Sequence, residues 1–283
     1  MKLLKRVIVI FLILLISFVS LIVYENNHLS IINKTITSDR FNEDIDGYSI
    51  IYFSDLHYGN FIKDNYLEKV VDTINNENPD LVIFGGDLID KLDHRPINDK
   101  DKKTLINELN RIDSKYGKYA ILGNHDYCNG SYEIVENIYL DSGFELLKDE
   151  CTSVNMNNNT INLLGIDSLF FHWDPFIDPY KKIDDRNYTF AIIHHPDLID
   201  YLLDYRFDYV LSGHSHGGQI YIPFLIDKYN FYGCNKYFKG EYNSINNNNE
   251  PFVVDVSNGV GRTKINIRLN AEAQITKYIL KSK

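Results

Sequence analysis

Side chains that bind metal ions follow five short apolar segments of this chain. A motif with carboxylate, amide or imidazole groups comes just after each segment. The five motifs are Asp55-Leu56-His57, Gly86-Asp87, Gly123-Asn124-His125-Asp126, His194 and Gly213-His214-Ser215-His216. A single histidine after a strand is more often a hydrogen-bonded structural residue, but five such motifs in one chain indicate a common site. Oxygen and imidazole ligands without thiolate suit Mn²⁺, Fe or Zn²⁺. We therefore predict a metal centre built from these segments.

The motifs favour two metal ions rather than one. Two cations about 3.5–4 Å apart can clamp the attacking and leaving oxygens of a displacement at phosphorus. Such a pair needs a carboxylate that both ions share. Asp87 suits this role because it follows Gly85 and Gly86, which let the backbone come close to the ions. The residues therefore predict hydrolysis at phosphorus that depends on two divalent ions.

Alternating strands and helices must bring these motifs together. Apolar, β-rich runs predict strands at Tyr48–Ser54, Leu81–Phe84, Lys118–Leu122, Phe190–Ile193 and Tyr209–Ser212. Helical periodicity predicts helices at Lys63–Asn76 and Lys102–Ser114. Ligands of open α/β sheets bind beyond the carboxyl ends of the strands, which is where the motifs lie.

The second half of the chain is richer in strands. Short runs at Thr152–Asn155 and Thr160–Gly165 flank an asparagine-rich turn and predict a hairpin. Further strands are predicted at Phe252–Asp255, Lys264–Leu269 and Ile275–Leu280. No linker divides this part from the first. The pattern indicates one α/β domain, with parallel strands early and hairpins late.

The five motifs, in this order, resemble those of the calcineurin-like metallophosphoesterase superfamily. The family pattern is D-x-H, G-D-x-x-D, G-N-H-[DE], a lone histidine and G-H-x-H, and each element is present between Asp55 and His216. The resemblance implies a four-layer α-β-β-α sandwich with mixed sheets, in the α/β class. It also implies two metal sites, the first held by Asp55, His57, Asp87 and His216 and the second by Asp87, Asn124, His194 and His214.

The resemblance also implies which residues act on the substrate. His125 would stabilise a phosphoryl oxygen or protonate the leaving group, and Asp90, the last residue of Gly-Asp-Leu-Ile-Asp, would orient it. The family spacing H-x-P selects His194 as the metal ligand, with His195 as the alternative. The implied reaction is attack by a hydroxide that bridges the two metals, without a covalent enzyme intermediate.

An apolar run, Val7–Val23, lies near the start of the chain. A helix of about 17–25 apolar residues can cross a bilayer, and no register supplies the small residues that signal cleavage requires. We therefore predict a single-pass anchor at 1–26, with a cleaved signal peptide or a buried core helix as alternatives. The charged residues Lys2, Lys5 and Arg6 precede the run, which predicts a cytoplasmic N-terminus and an extracytoplasmic domain.

The remaining sequence divides into two parts. Residues 27–44 are polar without clear periodicity and are predicted to form a tether, and residues 45–283 are predicted to form the catalytic domain. Residues 1–26 carry a net charge of +2 within a total of −10, so the rest of the chain is strongly acidic. Nucleic-acid binders normally carry a basic face, so this class of partner is disfavoured. No protein partner is indicated.

Three cysteines, Cys128, Cys151 and Cys234, are too few for a disulfide framework. Their number is also odd. We expect small buried thiols, and the alternative is one disulfide with a spare thiol.

Several features narrow the substrate class. Lys91 follows Gly-Asp-Leu-Ile-Asp where protein Ser/Thr phosphatases have Arg-Gly, which disfavours a phosphoprotein substrate. The anchor, the Gly-His-Ser-His-Gly-Gly-Gln run and the turn 257–261 resemble the membrane-associated bacterial branch, which includes enzymes similar to UDP-2,3-diacylglucosamine hydrolase. The stretch 270–273 departs from the Pro-Pro-Glu of that branch, which weakens any transfer of substrate.

We therefore expect a phosphohydrolase that cleaves phosphodiester or pyrophosphate bonds of a lipid-linked or nucleotide-sugar substrate at the membrane surface. The alternatives are a phosphomonoesterase or protein phosphatase of the same superfamily, a nuclease, and a non-catalytic binding scaffold. The aromatic segment Phe170–Phe176 is either a loop that fills its own side of the core or a lip that contacts substrate or lipid.

Overall fold

Two six-stranded mixed sheets carry the fold. The computed structural model describes residues 2–90, 97–167, 183–225 and 230–283. In chain order, the strands are β1 (Leu29–Ser38), β2 (Ser49–Phe53), β3 (Leu81–Phe84), β4 (Lys118–Ala120), β5 (Phe144–Leu146), β6 (Glu150–Met156), β7 (Asn159–Ile166), β8 (Tyr188–Ile193), β9 (Tyr209–Ser212), β10 (Gly240–Ile245), β11 (Pro251–Val256) and β12 (Ala273–Ser282). The helices are α1 (Lys2–Asn27), α2 (Asp64–Asn76), α3 (Asp99–Asn110) and α4 (Tyr132–Asp141).

Both sheets are parallel around the strands that lead to the motifs. The first sheet has the order β1-β12-β2-β3-β4-β5, in which β12 and β2 pair antiparallel and β2, β3, β4 and β5 run parallel. The second has the order β10-β11-β9-β8-β7-β6, with parallel strands inside and an antiparallel pair at each edge. The predicted α/β class, the parallel strands and the hairpin of β6 and β7 are confirmed.

Apolar side chains pack in layers on the faces of the two sheets. Val70 of α2 belongs to the cluster between the helices and the first sheet. Ile83 and Phe190 belong to the cluster between the two sheets. In the described part of the chain, Leu198 of the 3₁₀ helix Pro196–Tyr201 helps cover the outer face of the second sheet. The predicted sandwich with two mixed sheets is therefore confirmed.

Helix α1 is long and apolar enough to cross a membrane. Its 26 residues give a length of about 39 Å at 1.5 Å per residue, which exceeds the roughly 30 Å hydrocarbon core of a bilayer. Its apolar side chains are exposed along the helix, whereas Glu25 near its end is buried. The alternative of a buried core helix is therefore wrong, and the helix is a possible membrane span.

The prediction of a tether at 27–44 is wrong for most of that segment. Residues Leu29–Ser38 form β1, which pairs with β12 in parallel over its whole length. A single residue, His28, separates β1 from the end of α1. The sequence did not reveal this strand because one of its faces is polar and its partner, β12, lies at the other end of the chain. The helix is therefore joined to the sheet without a flexible linker.

The predicted strand Lys264–Leu269 is also wrong. The segment forms a loop whose pairing is limited to one isolated bridge between Leu269 and Ile220. Other backbone groups of the segment bond to side chains: Gln219 Nε2 donates to Ile265 O at 2.8 Å and Arg268 N donates to Asn26 Oδ1 at 2.7 Å. Conversely, β5, β10 and α4 were not predicted. The other predicted helices and strands are present with shifted ends, such as α3, which begins at Asp99.

Candidate metal centre

The loops that follow β2, β3, β4, β8 and β9 meet at the carboxyl ends of these strands. Backbone hydrogen bonds connect the loops: Asp55 N donates to Gly86 O at 2.9 Å, and Gly213 N donates to His194 O at 3.2 Å. Each of these bonds connects two loops of the same sheet. A further hydrogen bond, from His214 N to Asp55 Oδ1 at 3.1 Å, connects a loop of one sheet to a loop of the other. The fold therefore brings all five motifs to one place, as predicted.

Most of the predicted ligands have a left-handed backbone. The φ angle is positive at Asp55 (56°), His57 (49°), Asp87 (58°), His214 (67°) and His216 (54°). Residues other than glycine, asparagine and aspartate adopt this conformation at a cost of about 1–2 kcal/mol each, so the three histidines are strained. Such strain persists where the surrounding structure enforces it, and it is typical of functional sites. At these positions the left-handed backbone turns each side chain away from the strand direction and towards the candidate metal centre.

The first group of converging side chains consists of Asp55, His57 and His216. The Nε2 atoms of His57 and His216 are 3.0 Å apart. Asp55 Oδ1 lies 3.9 Å from His57 Nε2 and 3.5 Å from His216 Nε2. All three side chains are buried. Two imidazoles and a carboxylate that face one point are a candidate set of metal ligands.

The second group consists of Asp87, His194 and His214. Asp87 Oδ2 lies 3.2 Å from His194 Nε2. The Oδ1 atom of Asn124 is buried and accepts no hydrogen bond from the described residues. A buried amide oxygen without a donor is costly in an apolar setting, and a divalent cation would satisfy it. This observation indicates that the residues fit a bound metal ion.

Asp87 lies between the two groups. Its Oδ2 atom is 3.5 Å from His57 Nε2 in the first group, as well as close to His194 in the second. The other oxygen, Oδ1, accepts a hydrogen bond from His125 N at 2.7 Å, which fixes the carboxylate plane. Asp87 is thus placed to be shared by two cations.

The charges of the site suit metal ligands. Burial would raise the pKa of Asp87, but the imidazoles of His194, His125 and His57 outweigh it and hold the pKa well below the usual 3.8. Burial and the neighbouring imidazoles lower the pKa of His57, and burial and His194 lower the pKa of His214 to about 4. Charged carboxylates and neutral imidazoles are the forms that bind metal.

His194 is different in that nearby carboxylates favour its protonated form. Burial lowers its pKa, but Asp87 and then Asp55 outweigh burial and raise the pKa to about 10. A cation between His194 and Asp87 would supply the positive charge that the proton otherwise supplies. The Nδ1 atom of His194 faces Gly85 O at 2.8 Å, so a proton on Nδ1 would leave Nε2 free to bind the ion.

The two histidines of the His194-His195 pair have different surroundings. His194 belongs to the second group of converging ligands, whereas His195 does not. The His195 ring instead lies 4.0 Å from that of His214, between centroids, and it packs against Gly233. The geometry favours the choice of His194 over His195.

His125 and Asp90 lie beside the first group. His125 Nδ1 is 3.4 Å from Asp90 Oδ1, and the His57 and His125 rings are 4.4 Å apart with an interplanar angle of 78°. Asp90 also accepts a hydrogen bond from Thr263 Oγ1 at 3.0 Å. The structure therefore brings together the predicted substrate-facing histidine and the carboxylate predicted to orient it.

Asp126 has a structural role that the sequence analysis did not assign. Its carboxylate accepts hydrogen bonds from the backbone N–H groups of Asp87, Leu88 and Gly123, each at 2.9 Å. Burial, and then the charge of Asp87, raise its pKa to about 7. Asp126 thereby joins the loops that follow β3 and β4. The sequence signal was its place as the last residue of Gly-Asn-His-Asp.

Arg268 is a second residue that the sequence analysis missed. It is fully buried, and its guanidinium donates to backbone carbonyls of the turn 257–261 and of its neighbours, including Gly261 O at 2.5 Å, Ala271 O at 2.7 Å and Asn258 O at 2.8 Å. The same turn packs against the first metal group, since Gly261 N donates to Asp55 O at 2.8 Å. No signal in the sequence indicated this burial, because Arg268 alternates with apolar residues in the same way as Lys264 and Asn266.

Some predictions fall on residues outside the described ranges. These are the aromatic segment Phe170–Phe176 and Lys91. The three cysteines lie within the described ranges and form no disulfide with one another; Cys151 and Cys234 are buried, as expected, whereas Cys128 is half-buried.

Comparisons with known proteins agree with this geometry. The family model for calcineurin-like phosphoesterases matches residues 48–218. The chain is 28% identical over 249 residues to the uncharacterised metallophosphoesterase YkuE of Bacillus subtilis, covering 88% of this chain and 84% of that protein. It is 27% identical over 267 residues to a zebrafish transmembrane protein with a metallophosphoesterase domain, covering 89% of this chain and 57% of that one.

A solved structure shows the same fold. The NAD nucleotidase NadN of Haemophilus influenzae matches with a TM-score of 0.50 and 14% identity, over 75% of this chain and 50% of that chain. The family model begins just before β2, ends just after the Gly-His-Ser-His-Gly-Gly motif, and so includes every residue of the two ligand groups. This chain belongs to the calcineurin-like phosphoesterase family and is a phosphoester hydrolase.

Proposed function

We propose that this hydrolase uses two divalent metal ions to cleave phosphodiester or pyrophosphate bonds at a membrane surface. The position of Asp87 supports this proposal most directly, because its Oδ2 atom lies within 3.5 Å of a histidine from each ligand group. We assign Asp55, His57, Asp87 and His216 to one ion, and Asp87, Asn124, His194 and His214 to the other. Mn²⁺, Fe and Zn²⁺ all suit these oxygen and imidazole ligands.

The bound ions and the protein residues divide the chemistry between them. Two divalent cations, when bound, lower the pKa of water and offset the negative charge that develops at phosphorus. His125 binds a phosphoryl oxygen or gives a proton to the leaving oxygen, and Asp90 holds the imidazole in the required orientation through its 3.4 Å contact with Nδ1. Asp126 fixes the backbone between Asp87 and the His125 loop, so both side chains keep their relative position.

The substrate class follows from the anchor. Helix α1 places the domain next to a bilayer if it spans the membrane, and the net negative charge of the rest of the chain disfavours a polyanionic nucleic acid. The substrate we propose is a lipid-linked phosphodiester or a nucleotide sugar. Because the three charged residues before the apolar run are all basic, we further propose that the N-terminus is cytoplasmic and that the domain lies on the extracytoplasmic side.

Hydrolysis of bis-(p-nitrophenyl) phosphate by the full chain with added Mn²⁺ tests the proposal. His125→Ala should keep both metals by elemental analysis and lose most of the turnover, whereas Asp87→Ala should lose metal as well. Unchanged turnover in both variants would contradict the assignment. Faster hydrolysis of p-nitrophenyl phosphate than of the diester would contradict the diesterase part and favour a phosphomonoesterase.

A further inference from the structure

The end of helix α1 is bound to a loop that also contacts Asp90, the residue proposed to position His125. Asn26 Nδ2 donates to Asn266 O at 2.8 Å, and Asn26 Oδ1 accepts from Arg268 N at 2.7 Å. Asn270 N donates to Glu25 Oε2, also at 2.7 Å. These bonds fix the last turn of the helix to residues 262–270, which we call the anchor loop.

The same loop reaches Asp90 at its other end, through the hydrogen bond from Thr263 Oγ1. Asn266 is three positions after Thr263, so their backbones are at most about 11 Å apart, since an extended chain spans about 3.6 Å per residue. If α1 spans a bilayer, its 39 Å length, set by about 1.5 Å per residue, leaves its last turn in the headgroup layer. The contacts of Asp90 are then close to that layer.

Exposed apolar side chains lie on the anchor loop and on a segment bonded to it. Ile265 is 45% exposed, and Ile222, Phe224 and Leu225 are 43%, 85% and 46% exposed. Their segments are held together because Gln219 Nε2 donates to Ile265 O at 2.8 Å and Tyr221 N donates to Leu269 O at 2.8 Å. We call Ile222, Phe224, Leu225 and Ile265 the apolar rim.

The backbone at Phe224 sets it apart within this rim. Its φ angle is 67°, a left-handed conformation that is rare for a bulky side chain. The ring is nevertheless almost fully exposed, so packing within the described chain does not account for the strain. Strained, exposed apolar residues are expected where a partner is bound.

We propose that the apolar rim is a lipid-contacting surface that holds the anchor loop, and with it the contact between Thr263 and Asp90, at the headgroup layer. The inference rests on the proposed membrane anchoring and adds a second point of contact to it. A lipid surface is favoured over a protein partner because the rim is continuous, through the anchor loop, with the end of the membrane helix. The substrate would then enter from the bilayer side.

Tryptophan quenching in vesicles tests the proposal. The full chain is reconstituted into phosphatidylcholine vesicles with a minor share of phosphatidylglycerol, and the phosphatidylcholine is brominated at carbons 6 and 7. Phe224→Trp is made in a Trp173→Phe background. Its emission should fall about twofold on bromination, because an interfacial apolar surface lies roughly 5–10 Å into the headgroup and acyl boundary.

A matched position provides the control. Ile245 is 61% exposed and is the last residue of β10. The first residue of that strand, Gly240, pairs with Val256, after which the chain leads to the metal centre. Ile245 therefore lies at the end of β10 away from the centre. Emission from Ile245→Trp should be unchanged by bromination. Equal quenching at both positions, or none at 224, would overturn the proposal, and lipid-independent shielding at 224 would indicate a second copy of the chain instead.

A second variant tests the role in substrate access. Phe224→Asn should keep the left-handed backbone, which asparagine tolerates, while removing the apolar ring. It should lower the ratio of lipid-diester to soluble-diester hydrolysis several-fold, whereas Ile245→Asn should not. An unchanged ratio would overturn the inference. Loss of soluble-diester hydrolysis by the parent chain would contradict the proposed function itself, so the two failures are distinguishable.

Discussion

The Nε2 atoms of His57 and His216 lie 3.0 Å apart, although the two histidines follow strands of different sheets. Burial lowers the pKa of each imidazole, helped by His125 in one case and by Arg268 in the other. Two neutral rings can share one proton between these nitrogens at most. With Asp55 Oδ1 facing the same point, the three atoms are arranged as ligands of one cation would be, as proposed above.

Metal binding should therefore stabilise the folded chain. At a free metal concentration of about one hundred times the Kd, the gain is about 2.7 kcal/mol, or roughly 5–10 °C in Tm for a domain of this size. Thermal unfolding with chelator and then with Mn²⁺ measures the shift. Asp55→Asn should lose most of it, while Asp141→Ala, an exposed carboxylate at the end of α4, should keep it. An equal shift in both variants would contradict the ligand assignment.

Asp90 should act through His125. Asp90→Asn removes the negative charge 3.4 Å from the imidazole, so an imidazolium at this position should give up its proton at lower pH. The basic limb of the kcat–pH profile should move to lower pH, and kcat should fall about tenfold or more, which is part of the roughly 10²–10⁴-fold that general acid–base catalysis contributes.

The identity of the leaving group separates this role from a structural one. A p-nitrophenolate leaves without much help from a proton, whereas an alkoxide needs it. The fall in kcat caused by Asp90→Asn should be larger for an alkyl diester than for the p-nitrophenyl diester. Equal losses for the two substrates would argue that Asp90 merely supports the fold.

Gly123 should be required for metal binding because a side chain there would enter the site. A Cβ at this position would overlap the Asp87 carboxylate and lie 2.5 Å from Asp87 N. Gly123→Ala should weaken metal affinity about 10–100-fold, the usual effect of disturbing the surroundings of a ligand. Gly130→Ala is the control: its φ is +73° but nothing lies within 4 Å of the added Cβ. Isothermal titration with Mn²⁺ compares them, and equal affinities would be contrary to expectation.

Arg268 should stabilise the turn behind Asp55 through the shape of its guanidinium. A lysine keeps the charge but cannot reach the carbonyls of Gly261, Ala271 and Asn258 together. Each buried carbonyl left without a donor costs about 1–3 kcal/mol, so Arg268→Lys should lower the free energy of unfolding by about 3 kcal/mol or more. Chemical denaturation measures this. The exposed Arg186→Lys should change it by at most about 0.5 kcal/mol.

Cysteine reactivity should follow burial. Burial, with the charges of Asp197 and Asp55, raises the pKa of Cys234 to about 12. Compared with an ordinary thiol of pKa about 8.5, its thiolate fraction at neutral pH is lower by about three orders of magnitude. Iodoacetamide should therefore label Cys128, which is half-buried, well before Cys151 and Cys234. Peptide mass spectrometry follows the order, and early labelling of Cys234 would contradict the fold around it.

The motifs identified the residues of the centre but not their backbone strain. Each motif contains side chains whose chemistry is visible in the sequence, and each follows an apolar run that reads as a strand. The positive φ angles of Asp55, His57, Asp87, His214 and His216 were not visible. The neighbouring loops enforce these angles, and those loops come from distant parts of the chain.

The elements that were missed or misplaced depend on long-range partners. Strand β1 pairs with β12, which lies about 240 residues later in the chain. Because one face of β1 is polar, its sequence does not show the pattern of a strand when the partner strand is unknown. Residues 264–269 have an apolar alternation typical of a strand, but Arg268 is drawn inward by several backbone carbonyls. Full burial of this guanidinium requires many carbonyl acceptors around it, and only the tertiary structure brings those acceptors together.

By itself, the sequence indicated the candidate metal ligands at five strand ends and a hydrolytic reaction at phosphorus. It also indicated an apolar helix before the domain. The tertiary structure decided how these parts are arranged. It placed Asp87 between two ligand groups, joined Asp126 to the backbone of both neighbouring loops, and bound the end of α1 to a loop that touches Asp90. The physical reason is that side-chain identity is a local property, whereas distances across a fold depend on packing between segments far apart in the chain.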